Sequence, residues 1–252
     1  MIIEYHRPLN VEDAVRLLAR PEIKTLPMGG GSVINAPTQE RFAVVDLQEL
    51  GLDSIVDRGS MLTIGATATL QALLEWPDLS GEIKRVIQLE ASYNLRQVAT
   101  AAGTLVAADG RSPFAAALLA LDAQLSLLPG DEQVGSGELL LMRGDRLRGR
   151  LITHLNIPLN AKFSYQYVAR TPVDLPIVSA AVALWPSGRT RLALGGYGSM
   201  PALAMDGPEA VGAENAAQSA YNNAGDEWAS AEYRKEVAVT LTRRCLKDLA
   251  GS

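Results

Sequence analysis

The turn Met28-Gly29-Gly30-Gly31-Ser32 and the segment Thr100-Ala101-Ala102-Gly103-Thr104 are where residue type and spacing in this chain could do chemistry. Three consecutive glycines between apolar segments let a backbone approach a ligand closely and adopt positive φ, so the amides could cradle a pyrophosphate. A helix beginning near Ser32, with Val33 and Ile34 at its start, would aim its positive end at the same phosphates. The spacing is neither the dinucleotide fingerprint nor a Walker loop, so a plain structural turn stands as an equal reading. Thr100 to Thr104 reads as a second turn, with a hydroxyl at each end and small residues between, and its amides could meet the same ligand from the opposite side.

No constellation of side chains stands out as a reaction centre. His6 and His154 are the only histidines and lie far apart in sequence, which favours structural roles over a metal centre or catalytic dyad. Cys245 is the single cysteine, which excludes an internal disulfide, iron–sulfur cluster or Cys-rich zinc site and leaves a core thiol. No paired-acid motif or Ser/His/Asp order is present. A bound cofactor would therefore have to supply the chemistry, and a flavin suits such a protein.

The chain has 252 residues, 48% hydrophobic and 20% charged, and a net charge of −5; mean hydropathy is +0.07 and the pI about 5.2. This describes a globular protein with a sizeable core, and it disfavours a nucleic-acid surface. The densest basic run, Arg143, Arg146, Arg148 and Arg150, is interrupted by Gly144, Asp145 and Gly149 and reads as a solvated turn or a partner contact. Neither a leader pattern nor a spanning apolar run is visible, so the cytoplasm is the expected location.

The elements that must position the two segments follow from periodicity. Val11, Ala14, Val15, Leu17 and Leu18 recur at helical spacing behind Asn10 as cap. With Phe42 to Leu47 as a buried strand, the first fifty residues read strand, helix, strand, glycine turn, helix, strand, which predicts a small parallel sheet with crossover helices. Met61 to Ala66 is a strand, Thr67 and Thr69 are candidate caps for a helix with Leu70, Leu73 and Leu74, and one helix runs through Ile83 to Leu95. Phe114 to Leu121 reads as a buried helix, Ala123 to Leu128 and Leu151 to Ile157 as strands. From Phe163 onward Tyr165 to Val168, Val178 to Leu184 and Thr190 to Leu194 predict an antiparallel sheet. Residues 208–225 read as a loosely packed or partly helical linker. Tyr233, Val237, Leu241, Cys245 and Leu249 mark one face of a C-terminal helix over Ala231 to Leu249.

In this order the segments resemble the FAD-binding medium subunit of the xanthine dehydrogenase and carbon monoxide dehydrogenase family. EYHRPLNVEDAVRLL is similar to the family's opening, MGGGS to its first FAD loop, and NLRQVATAAGTLVAADGRSPFAAALLALDAQL to its second FAD segment. YVARTPVDLPIVSAAVAL, LGGYGSMP and WASAEYRKEVAVTLTRRCL resemble its C-terminal domain. The resemblance implies an α+β fold: a PCMH-type FAD-binding domain over 1–162, with subdomains about 1–55 and 56–162, and a C-terminal flavoprotein domain over 163–252. It implies FAD held by Leu26, Pro27, Met28, Gly29, Gly30, Gly31, Ser32 and Val33 on one side. Thr100, Ala101, Ala102, Gly103 and Thr104 would face them, with Asp109, Ile152 or Thr153, and Gln166 toward the flavin ring. It further implies an iron–sulfur small subunit, a molybdenum-cofactor large subunit and an external electron acceptor; a scaffold that has lost FAD and a stand-alone flavin oxidoreductase are the alternatives. Ala102 replaces the family's usual glycine, Thr104 an asparagine, Pro113 an aspartate and Gln166 a lysine, and residues 200–226 are shorter than usual.

Overall fold

The computed structural model describes residues 1–251, without the side chains of residues 142 and 144–146. The chain opens with β1 (Ile2–His6), α1 (Val11–Leu18), β2 (Thr25–Met28) and β3 (Phe42–Asp46). The three strands form a parallel sheet in the order β1-β3-β2, with the wholly buried β3 in the centre. Asn10 Oδ1 accepts the Asp13 N–H at 2.8 Å, and the Ala14 and Leu18 face of α1 is buried. This is the parallel sheet the sequence predicts, but the helix expected after Gly31 does not form. Residues 32–35 make a turn in which the Ala36 N–H donates to the Val33 carbonyl at 3.0 Å. Pro37 explains the stop, because it disfavours helical geometry at Ala36 and cannot donate to a carbonyl four residues back.

After a short 3₁₀ turn at Gln48–Leu50, the second unit runs β4 (Ile55–Asp57), β5 (Met61–Gly65), α2 (Leu70–Leu74), α3 (Gly81–Glu90), α4 (Tyr93–Arg96), α5 (Ala101–Ala107), α6 (Pro113–Ala120), β6 (Gln124–Leu128), β7 (Glu132–Gly135), α7 (Ser136–Arg146) and β8 (Leu151–Pro158). Its five strands are antiparallel in the order β4-β5-β8-β6-β7. The single helix expected through Leu95 breaks at Ala91, which is extended at φ −148°, and Ser92 restarts the chain as the cap position of α4. Thr100 to Thr104, expected as a turn, is instead the start of α5: Thr100 Oγ1 caps it, and Ala101 and Ala102 are strong helix formers.

The third unit contains β9 (Lys162–Val168), β10 (Val178–Leu184), β11 (Thr190–Gly195), β12 (Ala202–Gly207), α8 (Ala213–Ala220) and α9 (Ala231–Gly251), with an antiparallel sheet in the order β12-β11-β10-β9. Both faces of that sheet are covered. Ala181, Ala183 and Ala193 join the core around α6, while Ala180, Val182 and Leu194 join a second core with Leu241 and Cys245 of α9. Every residue of α6 is buried, against α3, α5 and α7 of its own unit and against β10 and β11 of the third; each of its large apolar side chains contributes about 1.5–3 kcal/mol by leaving water. Residues 208–225 are not a loose linker, because Ala213 and Ala217 of α8 are buried against α9. Tyr233, expected on the apolar face of α9, is exposed, and Val237, Leu241, Cys245 and Leu249 carry that face.

The basic run is only partly solvated. Arg143 donates to the Ala108 and Ser199 carbonyls, tying the end of α5 to the loop before β12, and Arg150 pairs with Glu132. The Arg146 side chain lies outside the described residues.

Candidate functional site

The glycine-rich loop leaves the carboxyl end of β2, where the Leu47 N–H donates to the Met28 carbonyl at 3.0 Å. It then passes directly over the segment that precedes α5. A Cβ on Gly29 would stand 2.8 Å from Thr100 Oγ1, so the first loop and the second segment are in van der Waals contact. Gly31 takes φ +72°, the left-handed region glycine adopts freely. Among the described residues, the amides of Gly29, Gly30, Gly31 and Ser32 donate to no protein acceptor. Four consecutive N–H groups without a protein partner are available to an anion, and Gly29 and Gly30 line the adjacent cleft.

The second segment behaves differently. The Ala101 and Ala102 amides donate to the Ala68 and Ala66 carbonyls at 2.9 and 3.3 Å, and those of Gly103 and Thr104 to Thr100 Oγ1 and its carbonyl at 3.2 and 2.8 Å. These four donors, expected to meet a ligand, are engaged within the protein. The segment instead supplies a wall.

Between the two lies a cleft of about 370 Å³. Gly29, Gly30, Gln48, Asp53, Thr67, Thr69, Gln97, Val98 and Thr100 line it. Among the described residues no basic side chain lines it. An anion there would be held by backbone dipoles, not by ion pairing. Gln48 and Asp53 are cleft residues that the sequence did not single out; their signal is positional, since they follow the strand that pairs with β2.

The remaining expected residues are more dispersed. Asp109 is exposed at the end of α5, where Oδ1 accepts the Arg111 N–H at 2.8 Å. Ile152 is buried on β8 next to Thr153, whose carbonyl accepts the Ala66 N–H at 2.9 Å, which links this strand to the segment beside the cleft. Gln166 lies on β9 and donates to Asp248 Oδ2 on α9 at 2.9 Å. Thr104 Oγ1 is buried without a partner.

Neither histidine builds a reaction centre. His6 Nε2 lies 2.9 Å from Glu4 Oε2, and His154 Nε2 lies 2.8 Å from the buried Ser126 Oγ, with burial pulling the imidazole below its ordinary pKa. Cys245 is a core residue whose thiol burial pushes up to about 12. Among the described residues no cluster of His, Cys, Asp and Glu could hold a metal ion, and no helix is long and apolar enough to cross a membrane.

Comparisons with known proteins agree with this arrangement. Residues 1–160 match the FAD binding domain in molybdopterin dehydrogenase. Over 227 residues, 89% of this chain and 86% of the relative, the sequence is 31% identical to the uncharacterized protein YgfM of Escherichia coli. It is 26% identical to the carbon monoxide dehydrogenase medium chain of Afipia carboxidovorans, over 97% of this chain and 95% of that one. The fold superposes on a chain of the cyanide-inactivated Cu,Mo-CO dehydrogenase crystal structure with a TM-score of 0.80 at 26% identity, covering 98% of this chain and 97% of that one. With its α+β fold, its cradle of free amides and these relatives, the chain belongs to the FAD-binding domain family of the molybdopterin dehydrogenases, flavoprotein subunits of oxidoreductases whose cofactor is FAD.

Proposed function

We propose that this chain is the electron-transfer flavoprotein subunit of a molybdenum hydroxylase complex. An iron–sulfur small subunit delivers electrons, a large subunit with the molybdenum cofactor oxidises the organic substrate, and an external acceptor takes the electrons up. The observation that carries the reading is the run of four unpartnered amides from Gly29 to Ser32, which fits a pyrophosphate without any basic side chain. FAD, when bound, supplies the redox chemistry.

The chain's own residues bind and orient. Leu26, Pro27 and Met28 of β2 carry the loop to the cleft, the four amides and Val33 surround the phosphates, and Thr100 to Thr104 with Val98 form the wall that holds the amides in place. Asp109, Ile152 and Gln166 are assigned to the flavin side. The FAD-binding domain covers residues 1–162 and the C-terminal domain 163–252, and the complex works in the cytoplasm.

The test has two stages. The purified chain is incubated with FAD and desalted, and the retained cofactor is identified by chromatography; the assembled complex is then given substrate while flavin absorbance is followed. Stoichiometric FAD that bleaches only in the complete complex supports the reading. Failure to retain FAD by a folded chain and by the complex would turn the reading to a scaffold, and bleaching by substrate in the isolated chain would turn it to a stand-alone oxidoreductase.

A further inference from the structure

The lining of the cleft combines amide donors without acceptors and a carboxylate acceptor without donors. Asp53 lines the same cleft as Gly29 and Gly30, and its carboxylate takes no hydrogen bond and joins no ion pair among the described residues. Its position is fixed by the backbone on either side: the Thr67 N–H donates to the Leu52 carbonyl at 2.9 Å, and the Gly65 N–H to the Ser54 carbonyl at 2.7 Å. Among the described residues no basic side chain in the cleft neutralises it.

A bare carboxylate beside an anion cradle repels the anion. The pairing makes sense for a ligand that carries an anionic group and hydroxyl donors a short distance apart, as a pyrophosphate joined to a ribose or a ribityl chain does. A carboxylate accepts hydrogen bonds from such hydroxyls and donates none, and its bonds are stronger than those of a neutral acceptor. We propose that Asp53 is a specificity-determining residue of this site: it accepts hydrogen bonds from sugar hydroxyls next to the pyrophosphate. It thereby favours a sugar-linked pyrophosphate over free phosphate anions and over a ligand with a further phosphate at that position. This rests on the flavin reading and adds to it a residue that neither glycine-rich segment contains.

The experiment measures FAD affinity by flavin fluorescence for the wild-type chain, Asp53→Asn and Asp53→Ala, with FMN titrated directly and ADP and inorganic pyrophosphate as competitors. Asp53 is exposed, so equal unfolding midpoints are expected and confirm that the variants fold. Asp53→Ala is expected to bind FAD about tenfold more weakly, the scale of one hydrogen bond to a charged group. Asp53→Asn falls between, because its amide oxygen still accepts. Inorganic pyrophosphate should bind Asp53→Ala as well as or better than wild type. Weakened ADP binding would place the contact on the ribose, weakened FMN binding on the ribityl chain. Unchanged or tighter FAD binding by Asp53→Ala would overturn the proposal, since a bystander carboxylate only repels the phosphates. Wild type that binds no FAD, either as the folded chain or in the assembled complex, would overturn the flavin reading, and the proposal with it.

Discussion

Gly30 lies so close to Val98 that a Cβ on the glycine would stand 1.5 Å from the Val98 carbonyl oxygen. The obstacle is backbone, so no side-chain rotation relieves it, and one of the two segments must move. Gly30→Ala is therefore expected to abolish FAD retention and to destabilise the fold by roughly 1–3 kcal/mol, the usual cost of overpacking. Gly81→Ala, where a Cβ meets nothing within 4 Å, is the control and should leave both properties unchanged. FAD titration together with urea unfolding separates the two variants.

That contact also marks the limit of what the sequence makes legible. The glycine run announces a backbone that approaches something, but Val98 is an unremarkable residue until the fold places its carbonyl there. Elements with strong local signals were readable: the face of α1 behind Asn10, the buried run Phe42 to Asp46, the apolar helix α6 and the Cys245 face of α9. The helix expected after Gly31 was misread because Val33 and Ile34 were weighed without Pro37. The Thr100 segment was misread because small residues suit a turn and a helix start alike, and only the Ala66 and Ala68 carbonyls, over thirty residues away, show where its amides go. Asp53 has no motif around it; its place in the cleft depends on how the chain passes from the first sheet to β4 and β5 of the second.

Arg234 binds the third unit together. The guanidinium has no solvent exposure and donates to the Ile177, Ala224, Ala229 and Gly196 carbonyls and to Asp226 Oδ1, with the Tyr197 ring 5.0 Å away. Arg234→Met would leave those carbonyls without their donor, and a loss of about 3–5 kcal/mol is expected, as for a buried charge partner removed. Arg234→Lys keeps the charge but not the planar fork, and should recover only part of the loss in urea unfolding.

Asp122, at positive φ after α6, meets Arg189 Nη2 at 2.8 Å and Arg191 Nη1 at 3.1 Å, and Asp206 of β12 pairs with the same two arginines. Asp122→Asn preserves a residue that tolerates the backbone geometry while removing its charge. Arg191 is buried and keeps Asp206, so the expected cost is about 1–2 kcal/mol. The half-exposed Arg189 part of that cost should shrink in high salt, whereas the Arg191 part should persist.

Glu90 gives the stability a defined pH dependence. Its carboxylate accepts from the Ser112 hydroxyl at 2.8 Å and the Phe114 N–H at 2.9 Å, at the head of α6. Burial outweighs both bonds and, with the negative charge of Asp109 adding to it, raises the carboxyl above the usual range. A folded-state pKa above the unfolded one means that the folded chain holds the proton more tightly. Glu90 therefore contributes stability that is fully present below about pH 4.3 and is lost as pH rises through its folded value. Glu90→Gln keeps an acceptor for both donors and removes the titration. Its advantage over wild type in urea midpoint should be near zero in acid, grow through that window and then level off. A difference that stays constant with pH would show that the carboxylate ionises in the fold at no cost. Glu90→Ala, which deprives the head of α6 of its acceptor, should instead lose about 1–2 kcal/mol even at the acid end of the series, where charge plays no part.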